Sequence, residues 1–483
     1  MELTESNKVK TSYEIALERA LRAPEIKDNH EHESSFESEY DNSFFVKDDH
    51  YKHIHEEAKK YPEVKEDQKD QQEYFESLTF PSTEVDYPEM PEPKMEDFEV
   101  KTHYTGPMFD YGGYAKMNRT MIFGLRARNA LVKVETHESI TNVNKKTEDT
   151  LRSYEKINLS TKYPKVYGMT VPDLLAHKGK KILYTMMETS NKVHKNYAER
   201  LNLADEVWTP TNWCKEVFKN SNVYPEIKVM PLGVDTQMYR PGLQPVNFGN
   251  KVREFRFLSV SGWSYRKGFD ILIRAFLEEF SNKDDVSLII STRFAGSVSQ
   301  KHKERIISDF KYFRSSVNKQ DGDLPHIMLH SDYTKEDMMP RIYNSAHCFV
   351  LVSRGEGWGL PYCEAASCGV PIIASDHGGQ KDFLDNETAY LVPPSSYFIS
   401  RVKDPAYKNM SWISSFYENQ EFPDYEGDSF ELLKHHLRSV YENYNEAQQK
   451  AKLLRQRIID NFTWDHAVDK VYNRLKEICR DVE

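Results

Sequence analysis

Two carboxylates, Glu356 and Glu364, and two adjacent cations, Arg266 and Lys267, are the residues whose types and spacing could carry chemistry. Glu356 lies among Gly355, Gly357 and Gly359, and Glu364 follows Pro361. Glycines let a backbone approach a ligand where a side chain would obstruct it. A proline suits the first turn of a helix, because its missing N–H would have no intrahelical partner there. The free N–H groups of such a helix start can take an anion or a hydroxyl. Glu364, near that turn, could accept hydrogen bonds from the diol of a ribose, and Glu356 could meet a sugar beside it. Each glutamate alone has an ordinary explanation, as a partner of the helix dipole or as a solvated turn residue. The glycine pattern around the pair argues for a site. Arg266 and Lys267 suit a diphosphate, since guanidinium grips phosphate oxygens in a fork and ammonium acts as a point charge.

The elements that must position these groups follow from the flanking sequence. An apolar run at residues 348–352 leads into the glycine loop, a helix begins near Pro361, and a second apolar run follows at 370–374. Residues 257–260 read as a strand before the cationic loop, and Leu272, Ala275, Phe276 and Phe280 then recur at helical spacing. Strand, loop, helix, strand is how a doubly wound sheet presents polar groups at the carboxyl ends of its strands. A third loop, residues 106–115, carries Gly112 and Gly113 and opens a helix through Arg128.

Taken together, these stretches resemble the Glu-x7-Glu signature of retaining GT-B glycosyltransferases, most closely glycosyltransferase family 4 (glycosyl transferases group 1). Residues 182–189, 204–211 and 229–235 follow the same family's pattern in the first half of the chain. The resemblance covers about residues 97–483. It implies an α/β fold of GT-B type, with two Rossmann-like domains facing an inter-domain cleft. It makes Glu364 the holder of the donor ribose and sets Glu356 against the donor sugar, for positioning and charge stabilisation. Arg266 and Lys267 would stabilise the departing diphosphate, so the catalytic set is Glu356, Arg266 and Lys267. Family members often carry an arginine early in this loop; here the arginine stands directly before the lysine. Donor binding is expected of Gly112, Gly113, Gly357, Trp358, Gly359, Leu360 and Glu364. The acceptor side is expected to involve Glu188, Asp173 and His177. No cofactor or catalytic metal is implied, the nucleotide-sugar donor being a substrate. Asp321-Gly322-Asp323 matches the metal-binding pattern of GT-A enzymes, but it precedes a strand at 326–329 and reads as a turn.

The reaction so implied is transfer of a sugar, with retention, to an acceptor hydroxyl in surface-polysaccharide or glycolipid synthesis. Front-face displacement, with the departing phosphate helping to deprotonate the acceptor, is the mechanism the family suggests. Alternatives are transfer to a modified base of nucleic acid or to protein, a GT-B-like sugar-nucleotide epimerase, and a non-catalytic sugar-nucleotide-binding module.

Size and charge fit this organisation. A chain of 483 residues can bury two cores. The expected domains are an N-terminal acceptor domain at 97–244, a nucleotide-sugar-binding domain at 245–462, and a last helix, about 463–483, packing back on the first domain. The first domain looks lean, with a strand or two missing or supplied by the preceding extension. That extension, residues 1–96, is acidic and proline-bearing and is expected to be partly disordered. Residues 1–100 carry 28 acidic and 12 basic side chains, whereas residues 101–240 carry 14 and 22. The positive segment suits an anionic acceptor such as a glycan, a lipid-linked sugar or nucleic acid, and peripheral contact with a membrane. Five scattered cysteines and the absence of an apolar leader in MELTESNKVK fit a cytoplasmic enzyme. Residues 397–427 read as an irregular surface insertion, and the sequon at Asn118 reads as chance.

Overall fold

The computed structural model describes residues 97–482 except 111, 137, 139–142, 171–174, 250, 294–299, 331–335 and 401–415. The acidic extension and Asp173 therefore lie outside the described residues.

The first lobe is built on six parallel strands, β1 (Val100–Thr105), β2 (Ala130–Glu135), β3 (Lys165–Gly168), β4 (Lys181–Tyr184), β5 (Glu206–Thr209) and β6 (Glu226–Val229). Their order is β2-β1-β3-β4-β5-β6. All six come from residues 100–229. Four helices serve it: α1 (Gly113–Ala127), α2 (Lys145–Glu155), α3 (Lys195–Leu201) and α4 (Asn212–Asn220). The second lobe repeats the plan with β7 (Phe255–Gly262), β8 (Val286–Arg293), β9 (His326–His330), β10 (Cys348–Leu351), β11 (Ile372–Ser375) and β12 (Tyr390–Val392), ordered β12-β11-β10-β7-β8-β9. Its helices are α5 (Phe269–Glu279), α6 (Gln300–Ser315), α7 (Met339–Asn344) and α8 (Leu360–Ser367). Parallel strands covered on both faces read as continuous apolar runs, and Cys348–Leu351 is buried throughout for that reason. The chain thus has two Rossmann-like α/β domains. Asp321–Asp323 forms a single 3-10 turn ahead of β9.

Beyond β12 comes an antiparallel ribbon, β13 (Ser396–Ile399) and β14 (Glu421–Asp424), then α9 (Asp428–Glu442), α10 (Tyr444–Asn461) and α11 (Trp464–Arg480). A capping box at Thr463 and His466 starts α11. This helix buries Val468, Val471, Leu475 and Ile478 in the core shared with α1 and β1. Its Arg474 reaches Glu206 of β5 through two nitrogens, at 2.9 and 2.6 Å. Glu206 also pairs with Lys180 at 2.8 Å and accepts from the Trp208 indole at 2.8 Å. Burial alone would raise the Glu206 pKa, but these partners hold it down at about 2.

Of the expected surface insertion at 397–427, residues 401–415 lie outside the described residues and Tyr397 and Ile399 are exposed, but the stretch from 416 onward is not loose surface. Phe416, Tyr417 and Phe422 are buried in one cluster with Met187, Val193, Tyr197 and Phe218 of the first lobe. Aromatic residues that read as exposed find their cover only when the other lobe is in place. Asn118 is fully buried, holding the carbonyls of Pro107 and Gly168, and leaves no room for a glycan. No described helix is long and apolar enough to cross a membrane.

Candidate functional site

The carboxyl ends of the two sheets face each other, and the candidate residues converge there. After β7 the chain turns once through Tyr265–Lys267 and reverses at Gly268, whose φ is +68°. A Cβ at Gly268 would lie 2.0 Å from the Val352 carbonyl oxygen, so only glycine lets the cationic turn sit on the loop after β10. That contact brings Lys267 Nζ to 2.5 Å from Glu356 Oε1. Arg266 donates to the Gly355 carbonyl and lies 3.9 Å from Glu356 Oε2 and 3.6 Å from Glu188 Oε1. Arg266, Lys267, Glu356 and Glu188 therefore form one cluster, with Glu188 supplied by the first lobe.

The cluster is nearly dry, Lys267 and Glu356 being 12% and 7% exposed. Burial would raise the Glu356 carboxyl, but the charges of Lys267 and Arg266 outweigh it and hold the group below the usual carboxylate range. Burial pushes the Lys267 ammonium below its ordinary range, with Arg266 adding to the shift and Glu356 opposing it. A buried cation next to a second cation is poised to gain from an incoming anion.

Glu364 stands in α8, whose N-cap residue Gly359 has φ +92°. Both of its carboxylate oxygens are engaged. Oε1 is 2.8 Å from Lys116 Nζ of α1, and Oε2 accepts from the Tyr343 hydroxyl at 2.8 Å. Lys116 also donates to the Tyr239 hydroxyl at 3.3 Å. Gly112 and the exposed Gly113 begin the same α1 that carries Lys116 across the lobes.

The loop glycines have a different neighbour from the one sequence reasoning gave them. A Cβ at Gly355 would meet the Glu188 carbonyl oxygen at 2.1 Å, and one at Gly357 would meet the Met186 side chain at 2.6 Å. What approaches them closely in this structure is the first lobe. Thr211, the N-cap of α4, donates to the Gly357 carbonyl at 3.1 Å across the same junction. Trp358 is buried with its ring against Phe383 and Phe462, and Leu360 packs partly buried on the core. His177 precedes β4, bonds the Tyr163 carbonyl at 2.7 Å and meets the His103 ring edge-on. That is the amino end of the sheet, opposite Glu188, so the structure does not bring His177 to the cluster.

Several contributors escaped sequence reasoning. Arg354, buried, forks onto both oxygens of Asp270 at 2.7 Å and lies over the Tyr265 ring at 3.9 Å. It fixes the glycine loop to the first turn of α5. An arginine beside that loop and an aspartate early in the next-door helix were the available signals. His377 bonds Ser190 Oγ across the lobes at 3.1 Å and meets Trp213 edge-on, and burial drives its pKa down to about 3. Lys116, Tyr343 and Tyr417 carried no motif at all.

Residues 254–403 match the family model described as glycosyl transferases group 1. The D-inositol 3-phosphate glycosyltransferase of Arthrobacter sp. (strain FB24) is 25% identical over 188 residues, 38% of this chain and 42% of that protein. The chain spans less than half the length of the first curated relatives it matches, 42% and 37% in two cases. The structure of the sucrose-phosphate synthase from Thermosynechococcus elongatus superposes with a TM-score of 0.53 at 16% identity, covering 78% of this chain and 99% of that one. Anabaena Alr3699/HepE, in complex with UDP and glucose, gives 0.50 at 13% identity over 78% and 99%. The fold is GT-B, and residues 254–403 of its second lobe match the group 1 glycosyl transferase model.

Proposed function

We propose that the chain is a retaining, metal-independent glycosyltransferase that passes a sugar from a nucleotide sugar to an acceptor hydroxyl on a glycan or glycolipid. The observation that carries this reading is the meeting of Arg266, Lys267, Glu356 and Glu188 where the two sheets face each other. The Anabaena neighbour holds UDP and glucose, and a uridine diphosphate donor is the first to try.

In this reading Arg266 and Lys267 receive the diphosphate as it leaves and stabilise the charge it gains. Glu356 stays ionised beside the sugar and offsets the positive charge growing there. Glu364 exchanges Lys116 for the ribose diol. Glu188 meets the acceptor hydroxyl. The bond from the anomeric carbon to the diphosphate breaks, and the acceptor oxygen bonds that carbon on the same face. The hydroxyl proton passes to the departing phosphate oxygen, and bonding on the face that the diphosphate leaves preserves configuration.

The test is a panel of UDP- and GDP-sugars with monosaccharide, inositol phosphate and diacylglycerol acceptors. Expected is acceptor-dependent release of nucleoside diphosphate, retained configuration by NMR, and turnover unaffected by a chelator. Lys267→Ala and Glu356→Gln should each lower kcat at least about 100-fold. Product formed without acceptor would instead identify an epimerase, and binding without turnover a non-catalytic module.

A further inference from the structure

Residues 416–425 belong to the second lobe by sequence but reach the loops of both site carboxylates. Tyr417 donates its hydroxyl to Glu188 Oε2 at 2.7 Å, while the other oxygen of Glu188 faces Arg266 at 3.6 Å. Four residues on, the Glu421 carbonyl accepts from the Ser190 amide at 2.9 Å, fixing the chain just beyond Glu188. Tyr425, fully buried, donates to the Ser353 carbonyl at 3.2 Å, three residues ahead of Glu356. Phe416 packs edge-on against Tyr197 at 5.2 Å and lies under Arg200 at 5.3 Å. The segment is therefore anchored at both ends, and Tyr417 lies between the anchors.

We infer that Tyr417 is a positioning residue for the acceptor side of the reaction, acting through Glu188. A glutamate side chain has free torsions, and Arg266 at 3.6 Å does not by itself fix which oxygen faces the cleft. A hydrogen bond from a buried, ring-packed phenol to the other oxygen does. Hydrogen bonds to a charged group are the stronger kind, so the carboxylate is held in one rotamer before an acceptor arrives. Because the phenol comes from the second lobe, Glu188 takes this orientation only when the lobes are together. The donor groups Lys267 and Glu364 make no contact with Tyr417 in the described hydrogen bonds.

This inference rests on the proposed glycosyl transfer. Tyr417→Phe keeps the ring and its packing and removes only the donor hydroxyl. Wild type and Y417F are compared with the nucleotide sugar and acceptor that give the highest turnover in the panel above, together with Glu188→Gln and the double variant. Expected for Y417F is a fall of about tenfold in kcat/KM for the acceptor, with affinity for the nucleoside diphosphate unchanged. In the E188Q background the same change should add less than twofold, since both substitutions act on one interaction. Wild-type acceptor kinetics in Y417F, a full tenfold loss on top of E188Q, or a parallel loss of nucleotide binding would each overturn the role. A wild-type protein with no turnover would take down the transferase reading, and the role given to Tyr417 with it.

Discussion

At the scale of single residues, the least expected feature is that Glu364 already has a cation. Lys116 comes from the first lobe, and the pair is largely withdrawn from water, with side chains 21% and 10% exposed. A ribose diol approaching Glu364 must displace that ammonium or share the carboxylate with it. Removing the lysine leaves a buried carboxylate with Tyr343 as its hydrogen-bond donor, and an unpaired buried charge is costly. A ligand supplying two hydroxyl donors then gains more by binding. Lys116→Met should therefore bind the nucleoside diphosphate about tenfold more tightly by calorimetry, while its unfolding midpoint falls. Weaker binding would show that Lys116 is itself a ligand for the nucleotide and not its competitor.

At the scale of elements, what the sequence revealed and what it hid divide along a physical line. Strands β7, β10 and β11 are apolar because helices cover both their faces, and a glycine turn follows each, so the second lobe was legible. Strand β1 reads VKTHYT, yet all six of its residues are buried. Its polarity is met by partners from elsewhere, such as Glu135 against His103 at 2.8 Å and Cys479 of α11 on the Lys101 amide at 3.5 Å. No local pattern announces that. The ribbon segment failed for the same reason, since the cover for Phe416 and Phe422 comes from Met187, Val193, Tyr197 and Phe218 of the first lobe. Helix α11 was legible by its apolar stripe, but the ionic anchor at its far end was not. Arg474 and Lys180 both serve Glu206, which is 1% exposed, and breaking a buried pair on one side strands the other charge. Arg474→Met should cost about 3 kcal/mol by equilibrium urea unfolding at pH 7. The folded pKa of Glu206 lies below its ordinary value, so its contribution is complete above about 4.5 and fades as pH falls toward about 2. The gap between wild type and R474M should narrow over that interval. A constant gap would mean that the arginine stabilises by packing alone.

At the scale of the whole molecule, the lobes are joined by direct contact of their loops, and this gives the site its geometry. Gly355 is the tightest point. Its missing Cβ leaves room for the Glu188 carbonyl, a backbone atom that cannot swing aside. Gly355→Ala should part the lobes locally and separate Glu188 from Arg266. Displacement of this kind, near 1 Å, costs about 100-fold in rate. The added methyl meets the Glu188 backbone and Cβ and no core side chain, so circular dichroism should be unchanged. Wild-type turnover in this variant would show that the junction is looser than its contacts imply. Acid should loosen the same junction through His377. Burial depresses its pKa from 6.5 to about 3, with Lys381 adding to the shift. Between those values the unfolded chain takes up a proton that the folded protein refuses, so stability drops as pH falls below about 6.5. His347, lowered to about 4 by burial and Arg256, contributes in the same direction from within the second lobe. The ion-paired carboxylates Glu135 and Glu206, both held at about 2, act only below about 4.5. The interval from pH 6.5 to 4.5 therefore belongs to the histidines. Urea unfolding at steps across it should show wild type losing stability steadily, and His377→Gln losing visibly less. Parallel slopes for the two proteins would mean that the imidazole is protonated in the folded state, and that Ser190 and Trp213 hold it in a less buried setting than these contacts describe.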